Sequence, residues 1–439
     1  MKSLSELADL LGWLYPSRDE ARQVLFEAEL DADAIDLGGA SKVRWFRIVE
    51  HATKIGRLEQ LLVIARAAFP GHAKALEVGE SVAAPLTLRI LHLSDLHERI
   101  ALPWMPELRK RTIALRASDR YRVLVQSNLR EVLGELRGPQ AVDVVCFTGD
   151  VADWGLPEEY ELAAERFGSI LEWCGRTGDH LCVVPGNHDV SRKIAVPAWT
   201  ELRKFGLSNP DGLSDWCAGL APPAGAQAGW LDEARERTSS FWEWVGGTLG
   251  RPDLLPEHSA HGRLGYRKTF RKPGCTFDVH IIGLDSAWMC GDDSDALKIR
   301  LTEGQLRQLA RDESGKPLSG FRLGLVHHPL SVLADGRQSL RHLGETTDLL
   351  LHGHQHDPLA EIVADPDRAL RILAAGSLYE GDHGDRWLNS FQVIEVTLSA
   401  AGRPLRYSIT FWAWSERGHW HRSGAMYRAA PLGTLEVSV

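Results

Sequence analysis

The 439-residue sequence predicts a mixed α/β domain that follows an all-α module. The first 75 residues carry apolar positions at helical spacing. Beyond residue 87, short Leu-rich or β-branched runs alternate with helical segments, and the last third is rich in strand-like runs. Alternation of strand and helix indicates parallel strands that are buried on both faces.

Composition narrows the class of protein. The hydrophobic fraction of 44% and the charged fraction of 25% are typical of a globular chain, and a net charge of −9 argues against a nonspecific nucleic-acid coat, although a local basic patch stays open. The six cysteines show no C-x-x-C spacing, so we expect reduced thiols. No apolar run approaches the roughly 18 residues that span a bilayer, and the acidic amino terminus is unlike a signal peptide, so we expect a cytoplasmic protein without a membrane partner.

Capping-box patterns mark the predicted helices of residues 1–75. Ser3 is followed by Glu6, and Ser17 by Glu20, each at the start of a run with helical spacing. The remaining predicted segments are a helical turn at 32–35, helices that open at Ser41 and span 58–69, and a small, polar linker over 76–86. The module should therefore be a bundle of five or six helices.

Five predicted strands end in residues that can bind metals. The stretches are LRILHLSDLH (88–97), VDVVCFTGD (142–150), LCVVPGNHDV (181–190), FRLGLVHHP (321–329) and TDLLLHGHQH (347–356). In an open α/β sheet, ligands bind beyond the carboxyl ends of the strands. We therefore expect these ends to gather Asp95, His97, Asp150, Asn187, His327, His354 and His356.

The connections between the strands predict three further features. Helices are expected over 119–136 and 158–174. Residues 191–262 hold tryptophans at 199, 216, 230, 242 and 244 but no clear strand, so they form either a cap over the site or a small core of their own. The loop after the first strand carries cations that either meet substrate phosphates or lie in solvent: Arg99, Arg109, Lys110, Arg111 and Arg116.

The five strand ends read D-x-H, G-D, G-N-H-D, H-x-P and G-H-x-H in order, and this set resembles the calcineurin-like metallophosphoesterases over about residues 87–400. The resemblance implies a four-layer α/β/β/α sandwich over 87–439, into which the segment at about 191–262 is inserted. It also implies a dinuclear metal centre that hydrolyses phosphate esters.

The resemblance assigns the ligands. It places Asp95, His97 and His356 on one metal, Asn187, His327 and His354 on the other, and Asp150 between them. His188 would protonate the leaving oxygen or stabilise charge on the phosphoryl oxygens, and Asp189 would orient His188.

Ligand chemistry agrees with this assignment. Two divalent cations roughly 3.5 to 4 Å apart can stabilise both the attacking and the leaving oxygen at phosphorus, and holding them that close requires a shared anion. Oxygen and nitrogen ligands suit Mn, which we expect first, as well as Fe, Ni, Co and Zn. Three other histidines, His92, His328 and His352, are expected to be structural or to lie behind the ligands.

Residues 7–72, from LADLLGWL to FPGH, resemble a bacterial effector-associated, death-like domain. The resemblance implies an adaptor that joins the enzyme to a protein partner with a matching domain in conflict or immunity systems. The alternative is a helical extension that covers the catalytic domain.

Three functions follow. The first is an active phosphodiesterase with nucleic acid or a nucleotide as substrate, recruited to a bacterial defence complex. The second is a phosphomonoesterase or protein phosphatase whose bundle regulates access. The third is a catalytically dead scaffold. Scaffolds of this kind usually lack some of the metal ligands, whereas no expected ligand is missing from this sequence.

Overall fold

Two compact units, Met1–Leu86 and Thr87–Val439, make up the chain in the computed structural model. Of the predicted linker over 76–86, the structure describes only the first and last residues, so the three-part division made from the sequence stays a prediction. The described residues are 4–28, 30–54, 57–76, 86–100, 125, 127–138, 141–256, 264–291, 294–365, 368–379, 389–415 and 417–439.

The described part of the first unit is helical. Its elements are α1 (Leu4–Leu14), α2 (Arg18–Glu27), α3 (Ser41–Lys54) and α4 (Leu58–Ala68), with 3₁₀ turns at Ala32–Ala34 and Pro70–Ala75. The capping box predicted at α2 is confirmed, because Glu20 N donates to Ser17 Oγ at 3.1 Å and Ser17 N donates to Glu20 Oε2 at 2.8 Å. The other predicted box begins at Ser3, outside the described residues.

The first unit has its own apolar core. Leu7, Leu11, Trp45 and Leu61 are among its buried members, and each is at most 2% exposed. The indole N–H of Trp45 donates to Tyr15 O at 2.9 Å, so the ring is anchored as well as packed. Burial of one stripe on each amphipathic helix is what stabilises such a bundle.

The second unit contains two sheets. The strands are β1 (Leu86–Leu93), β2 (Val144–Phe147), β3 (Leu181–Val183), β4 (Tyr266–Phe270), β5 (Val279–Gly283), β6 (Phe321–Leu325), β7 (Leu349–His352), β8 (Leu359–Asp365), β9 (Arg368–Ala374), β10 (Ser390–Leu398), β11 (Pro404–Trp414), β12 (Trp420–Arg422) and β13 (Thr434–Ser438). One sheet has the order β12-β11-β10-β1-β2-β3, with β13 on β11, and the other has the order β4-β5-β6-β7-β9-β8. The pairs β1–β2, β2–β3, β5–β6, β6–β7 and β7–β9 are parallel.

Helices complete the layers. They are α5 (Pro157–Cys174), α6 (Val196–Ser208), α7 (Pro210–Cys217), α8 (Trp230–Arg235), α9 (Ser239–Glu243), α10 (Glu303–Ala310) and α11 (Gly336–Thr346). Phe167 of α5 packs edge-on against Phe147 of β2, whereas α10 and α11 share a core with β5, β7 and β9 of the other sheet. Gln392 of β10 donates to Ala374 O of β9 at 3.1 Å and so joins the two sheets. The predicted α/β/β/α layering with an amino-terminal helical bundle is confirmed.

The segment 191–256 contains α6 to α9 and, within these described residues, no strand. Trp216 belongs to the core of the second sheet, and Trp244 stacks on Tyr160 of α5 with ring centroids 5.5 Å apart. The indole of Trp199 donates to Met289 O at 2.7 Å. These tryptophans therefore pack into the main domain rather than forming a separate core, and a capping role for the segment stays a prediction.

Two predicted features lie wholly or partly outside the described residues. Residues 127–134 are helical, as expected for the second half of the helix predicted over 119–136. The basic loop predicted between the first two strands is described only through residue 100, where Arg99 forms an ion pair with Asp153.

Candidate metal centre

The candidate ligands lie just beyond the carboxyl ends of parallel strands. Asp95 and His97 follow β1, Asp150 follows β2, and His327 follows β6. Asn187 opens a 3₁₀ turn, Asn187–Asp189, after β3, and His354 and His356 follow β7. Polar side chains from both sheets therefore meet along one edge.

Backbone strain is concentrated at these positions. Eight non-glycine residues of the described chain adopt a positive φ, at a cost of about 1–3 kcal/mol each. Five of the eight are candidate ligands: Asp95, His97, Asp150, His354 and His356. Strain of this kind persists only where the surrounding structure enforces it, and it clusters at functional sites.

Two glycines of the motifs are required by space. A Cβ on Gly186 would collide with Asp150 Oδ1, and a Cβ on Gly353 would collide with Ser94 Oγ and approach Asp95 Oδ2 to 2.5 Å. The backbone must come this close for the neighbouring donors to converge. The glycines of G-N-H-D and G-H-x-H are thus part of the geometry of the site.

Three donors form the first group. His356 Nε2 lies 3.1 Å from Asp95 Oδ1, and His97 Nε2 lies 3.3 Å from His356 Nε2 and 3.9 Å from Asp95 Oδ1. Burial works against the charged form of Asp95, but the imidazoles of His356 and His327 outweigh it and lower the pKa to about 2. Burial lowers the pKa of His97 to about 3, so this imidazole is neutral and able to bind a cation.

Three donors also form the second group. Asn187 Oδ1 lies 3.0 Å from His327 Nε2 and 3.0 Å from His354 Nδ1. His327 Nδ1 donates to Thr148 O at 2.7 Å, which leaves Nε2 facing the other donors. A hydrogen bond of this kind fixes the tautomer of a metal-binding histidine.

Asp150 lies between the two groups. Its Oδ2 is 3.3 Å from His327 Nε2 and 4.0 Å from His97 Nε2, and its Oδ1 accepts from His188 N at 2.8 Å. Burial alone would raise the pKa of Asp150, but the imidazoles of His327 and His188 hold that pKa well below its usual range. The structure thus brings all seven predicted ligand side chains together, with Asp150 in the shared position.

The donor set fits divalent cations. Asp95 Oδ1 is buried and accepts no well-aligned hydrogen bond from the described residues, although His356 Nε2 lies 3.1 Å away. Asp95, Asp150 and His327 present ligand atoms within 4.8 Å of one another, as do Asp95, His97 and His356. Two carboxylates and several imidazoles with converging lone pairs are a typical arrangement for transition-metal ions.

His328 belongs to a third close group, with His327 and His354. Its nitrogens point to other partners, however: Nδ1 lies 2.8 Å from Ser286 Oγ and Nε2 lies 3.7 Å from Cys290 Sγ. Burial holds the pKa of His328 well below its usual range. This neutral ring packs behind His327, as the H-x-P spacing suggested.

His188 is more exposed than Asp95, His327 and His356. Its side chain is 34% exposed, and its ring lies edge-on to His97 with centroids 4.7 Å apart. Nδ1 donates to Asp153 O at 2.9 Å. Burial lowers the pKa of His188, but Asp150 and the Asp153 carbonyl outweigh it, and the pKa is raised.

Asp189 contacts other groups than the imidazole it was expected to orient. Its carboxylate accepts from Gly186 N at 2.9 Å, Ala152 N at 3.0 Å, Val151 N at 3.2 Å and the Tyr160 hydroxyl at 3.1 Å. Asp189 therefore joins the loop after β2 to the loop after β3. The orienting contact of His188 comes from Asp153 instead.

Asp153 is a site residue that the sequence analysis missed. It is 8% exposed, its Oδ1 lies 3.6 Å from His188 Nδ1, and its Oδ2 pairs with Arg99 Nε at 2.9 Å. The available signal was a second aspartate three residues after Asp150 in the G-D-V-A-D stretch.

A two-sheet sandwich with histidine and aspartate donors beyond its strand ends is the architecture of a metal-dependent phosphoesterase. Residues 88–358 match the family model for calcineurin-like phosphoesterase, and the chain belongs to that family. Residues 2–83 match the model for effector-associated domain 1. Family and donor clusters together indicate a divalent metal centre.

Solved structures with a similar fold come from several bacteria. A 5'-nucleotidase precursor from Thermus thermophilus is 15% identical, with a TM-score of 0.39, over 76% of this chain and 56% of that one. The NAD nucleotidase of Haemophilus influenzae is 12% identical, with a TM-score of 0.35, over 77% and 54%. A predicted phosphoesterase from Streptococcus pneumoniae is 13% identical, with a TM-score of 0.29, over 81% and 99%. Because every TM-score is below 0.5, these similarities add nothing to the family assignment.

No curated protein matches the chain. Among the described helices, none combines the length and the apolar character needed to cross a membrane.

Mn²⁺ should raise the thermal unfolding midpoint of the full chain, and Asp150→Ala should remove most of that shift. A ligand that binds only the folded state adds about 2.7 kcal/mol to the free energy of unfolding at 100 times its Kd. Asp150→Ala deletes the carboxylate that lies between the two donor groups. Calorimetry of EDTA-treated protein with and without added Mn²⁺ measures the shift.

Asp143→Ala is the matched control for this variant. Asp143 precedes β2, whereas Asp150 follows it, and Asp143 pairs with Lys272 Nζ at 2.7 Å. Asp143→Ala should keep the Mn²⁺-dependent shift. An Asp150→Ala protein that Mn²⁺ stabilises as much as the unaltered chain would contradict the shared position of Asp150.

Proposed function

We propose that this chain is a dinuclear metal-dependent phosphodiesterase that acts on nucleic acid or nucleotides. The observation that carries the proposal is the position of Asp150, with one donor group on each side of it. We assign one ion to Asp95, His97 and His356, with Mn²⁺ as the first candidate for both sites. The second ion would bind Asn187, His327 and His354, and Asp150 would contribute to both.

Two divalent ions would supply positive charge against the phosphoryl oxygens as charge develops on them. The protein's own task is to hold the donors close together, which its strained strand ends achieve. Neutral imidazoles and an amide keep the number of negative ligands low, so bound cations would keep most of their charge. The site thereby favours an in-line displacement at phosphorus.

His188 is the best candidate to act on the leaving oxygen. A carbonyl only accepts hydrogen bonds, so the contact with Asp153 O places a proton on Nδ1 and leaves Nε2 for the substrate. Its partial exposure contrasts with the burial of Asp95 and His327, whose side chains are 0% exposed. Asp153 would hold the ring, and Asp189 would hold the loop that carries it.

The exposed side chain of Trp154 supports the proposal that the substrate carries an aromatic base. It follows Asp153 directly and is 52% exposed, whereas Val151 and Ala152 of the same loop are fully buried. Its backbone N donates to Glu159 Oε2 at 2.9 Å, so the loop is anchored to α5. An exposed indole on a fixed loop is a surface on which a nucleobase can stack.

The amino-terminal unit supports recruitment by a protein partner. It matches an effector-associated domain, and it exposes several large apolar side chains on its helices. Single exposed apolar residues are common on protein surfaces. A bundle that has its own core and still exposes several large apolar side chains is typical of a domain that binds another protein. The exposed side chains are Trp13, Phe26, Val43, Phe46 and Val63.

The full chain with Mn²⁺ should hydrolyse bis(p-nitrophenyl) phosphate, and His188→Ala should lower kcat by about 100- to 10,000-fold, the usual contribution of a general acid. Release of p-nitrophenol measures both. His180→Ala is the control, because His180 precedes β3 and His188 follows it. Preferential turnover of p-nitrophenyl phosphate would identify a phosphomonoesterase. No turnover of either substrate with Mn, Fe, Ni, Co or Zn would identify a scaffold.

Trp154→Ala should lower kcat/KM for a 2',3'-cyclic nucleotide by about 5- to 150-fold, since stacking of one base is worth about 1–3 kcal/mol. It should leave kcat/KM for glycerophosphocholine, a diester without an aromatic ring, nearly unchanged. Steady-state kinetics on both substrates measure the difference. Trp154→Phe should keep most of the nucleotide activity.

Leu220→Ala is the control, because it also removes an exposed apolar side chain, one that is 58% exposed. It should leave kcat/KM for both substrates unchanged. Equal losses on both substrates in Trp154→Ala would refute a role in base recognition.

Phe26→Asp should weaken binding of the full chain to a protein with a matching effector-associated domain. Phe26 is 79% exposed on α2, so the change places a charge in the interface without disturbing the core. A pull-down against a set of such domains measures binding. Phosphoesterase activity in the same preparation should stay unchanged, and retained binding would argue against this face.

A further inference from the structure

A chain of four buried residues leads from the first sheet to the metal centre. Gln392 lies on β10, His92 on β1, Thr148 directly after β2, and His327 beyond β6. Each is at most 1% exposed. Hydrogen bonds between buried polar groups show which of their atoms carry protons, because each bond needs one donor and one acceptor.

The amide of Gln392 fixes the direction of the chain. Its Nε2 lies 3.1 Å from Ala374 O and 2.8 Å from His92 Nδ1. A carbonyl only accepts, so the atom beside Ala374 O is the amide nitrogen, and the same nitrogen donates to His92 Nδ1. His92 Nδ1 is therefore an acceptor and carries no proton.

The proton of His92 then lies on the opposite nitrogen. Burial lowers the pKa of His92 to about 3, so the ring is neutral and has one N–H. That N–H is on Nε2, which lies 3.0 Å from Thr148 Oγ1 and donates to it. The side chain of Thr148 is thus held from the side of the first sheet.

Thr148 connects this chain to the candidate ligand. Its carbonyl accepts from His327 Nδ1 at 2.7 Å. With its proton on Nδ1, His327 turns Nε2 toward Asn187 Oδ1 at 3.0 Å and Asp150 Oδ2 at 3.3 Å. An anchored Thr148 limits rotation of its carbonyl and, through it, of the imidazole.

We propose that Gln392, His92 and Thr148 are positioning residues that fix the tautomer and the orientation of His327 for metal binding. The proposal rests on the metal centre described above and extends it to residues that touch neither metal nor substrate. Partners of this kind typically affect metal affinity by about 10- to 100-fold. His92 and Gln392 thereby acquire a role beyond filling the space between the sheets.

The test is the affinity of the full chain for Mn²⁺, measured by electron paramagnetic resonance of the free ion. His92→Phe keeps the ring volume and removes both hydrogen bonds, and it should raise Kd by about 10- to 100-fold. His92→Gln can accept from Gln392 and donate to Thr148 through one amide, so it should restore most of the affinity.

His280→Phe is the matched control. His280 is a 7% exposed histidine of β5 with both nitrogens hydrogen-bonded, to Thr269 Oγ1 at 2.9 Å and Ser319 O at 2.8 Å. It lies near the amino end of its strand, away from the ligands. Its loss should lower the thermal midpoint to a similar extent but leave Kd for Mn²⁺ unchanged.

A double-mutant cycle tests the connection itself. Thr148→Val removes the same hydrogen bond from the other side, so Thr148→Val combined with His92→Phe should cost no more affinity than either change alone. Thr148→Val also carries the test if His92→Phe fails to fold. Fully additive losses would overturn the coupling.

The two proposals fail in different ways. An unaltered chain that binds no Mn²⁺ overturns the metal centre. An unaltered chain that binds Mn²⁺, with His92→Phe and Thr148→Val of the same affinity, overturns only the positioning role.

Discussion

Two buried carboxylates in one pocket are the constraint on which the site depends. Asp95 and Asp150 are at most 1% exposed, and each presents a ligand atom within 4.8 Å of the other and of His327. Burying an ion costs several kcal/mol unless opposite charge compensates it. Burial opposes protonation of His327, but Asp150 raises the pKa of His327 to about 9, so this imidazole provides part of that charge. The arrangement therefore needs cationic charge, which divalent ions would supply more fully than protons.

Rigid parallel sheets make such a pocket possible. Non-glycine residues at positive φ tend to relax unless flanking structure holds them, and here each candidate ligand with a positive φ lies within a few residues of a buried strand. The strands of both sheets end at the same edge. Packing of these buried strands offsets the free-energy cost of the strained turns that follow them. Gly186 and Gly353 then allow the loops to approach the carboxylates without steric conflict.

The fold and the donors could be predicted because both depend on local sequence. A short apolar run that breaks into Asp, His or Gly indicates a strand end, and parallel strands bring such ends together without further information. Contacts made through the backbone could not be predicted. The acceptor of His188 is the carbonyl of Asp153, and the carboxylate of Asp189 binds main-chain N–H groups of a different loop. The identity of a residue does not specify which main-chain groups its side chain will contact.

The packing of the 191–256 segment shows a second limit of the same kind. Its tryptophans were consistent with a separate core, but Trp216 and Trp244 fill space against the second sheet and α5. A large apolar side chain does not specify which surface it covers, since several partners satisfy the same burial. His92 illustrates the converse, because its position within β1 suggests only packing, whereas its two ring nitrogens connect Gln392 to Thr148.

The exposure of the side chains indicates from which side a substrate would reach the site. The side chains of Asp95 and His327 are 0% exposed, that of His356 is 18% and that of His188 is 34%. Solvent therefore reaches the donors from the side of His188, on which the loop bearing Trp154 also lies. Under the proposed function, a substrate that enters there would meet His188 before the buried carboxylates, with its phosphorus toward the donors and its leaving group toward His188. The same approach would bring the leaving group to the indole, so a chemical step at His188 and recognition at Trp154 would act on the same half of the substrate.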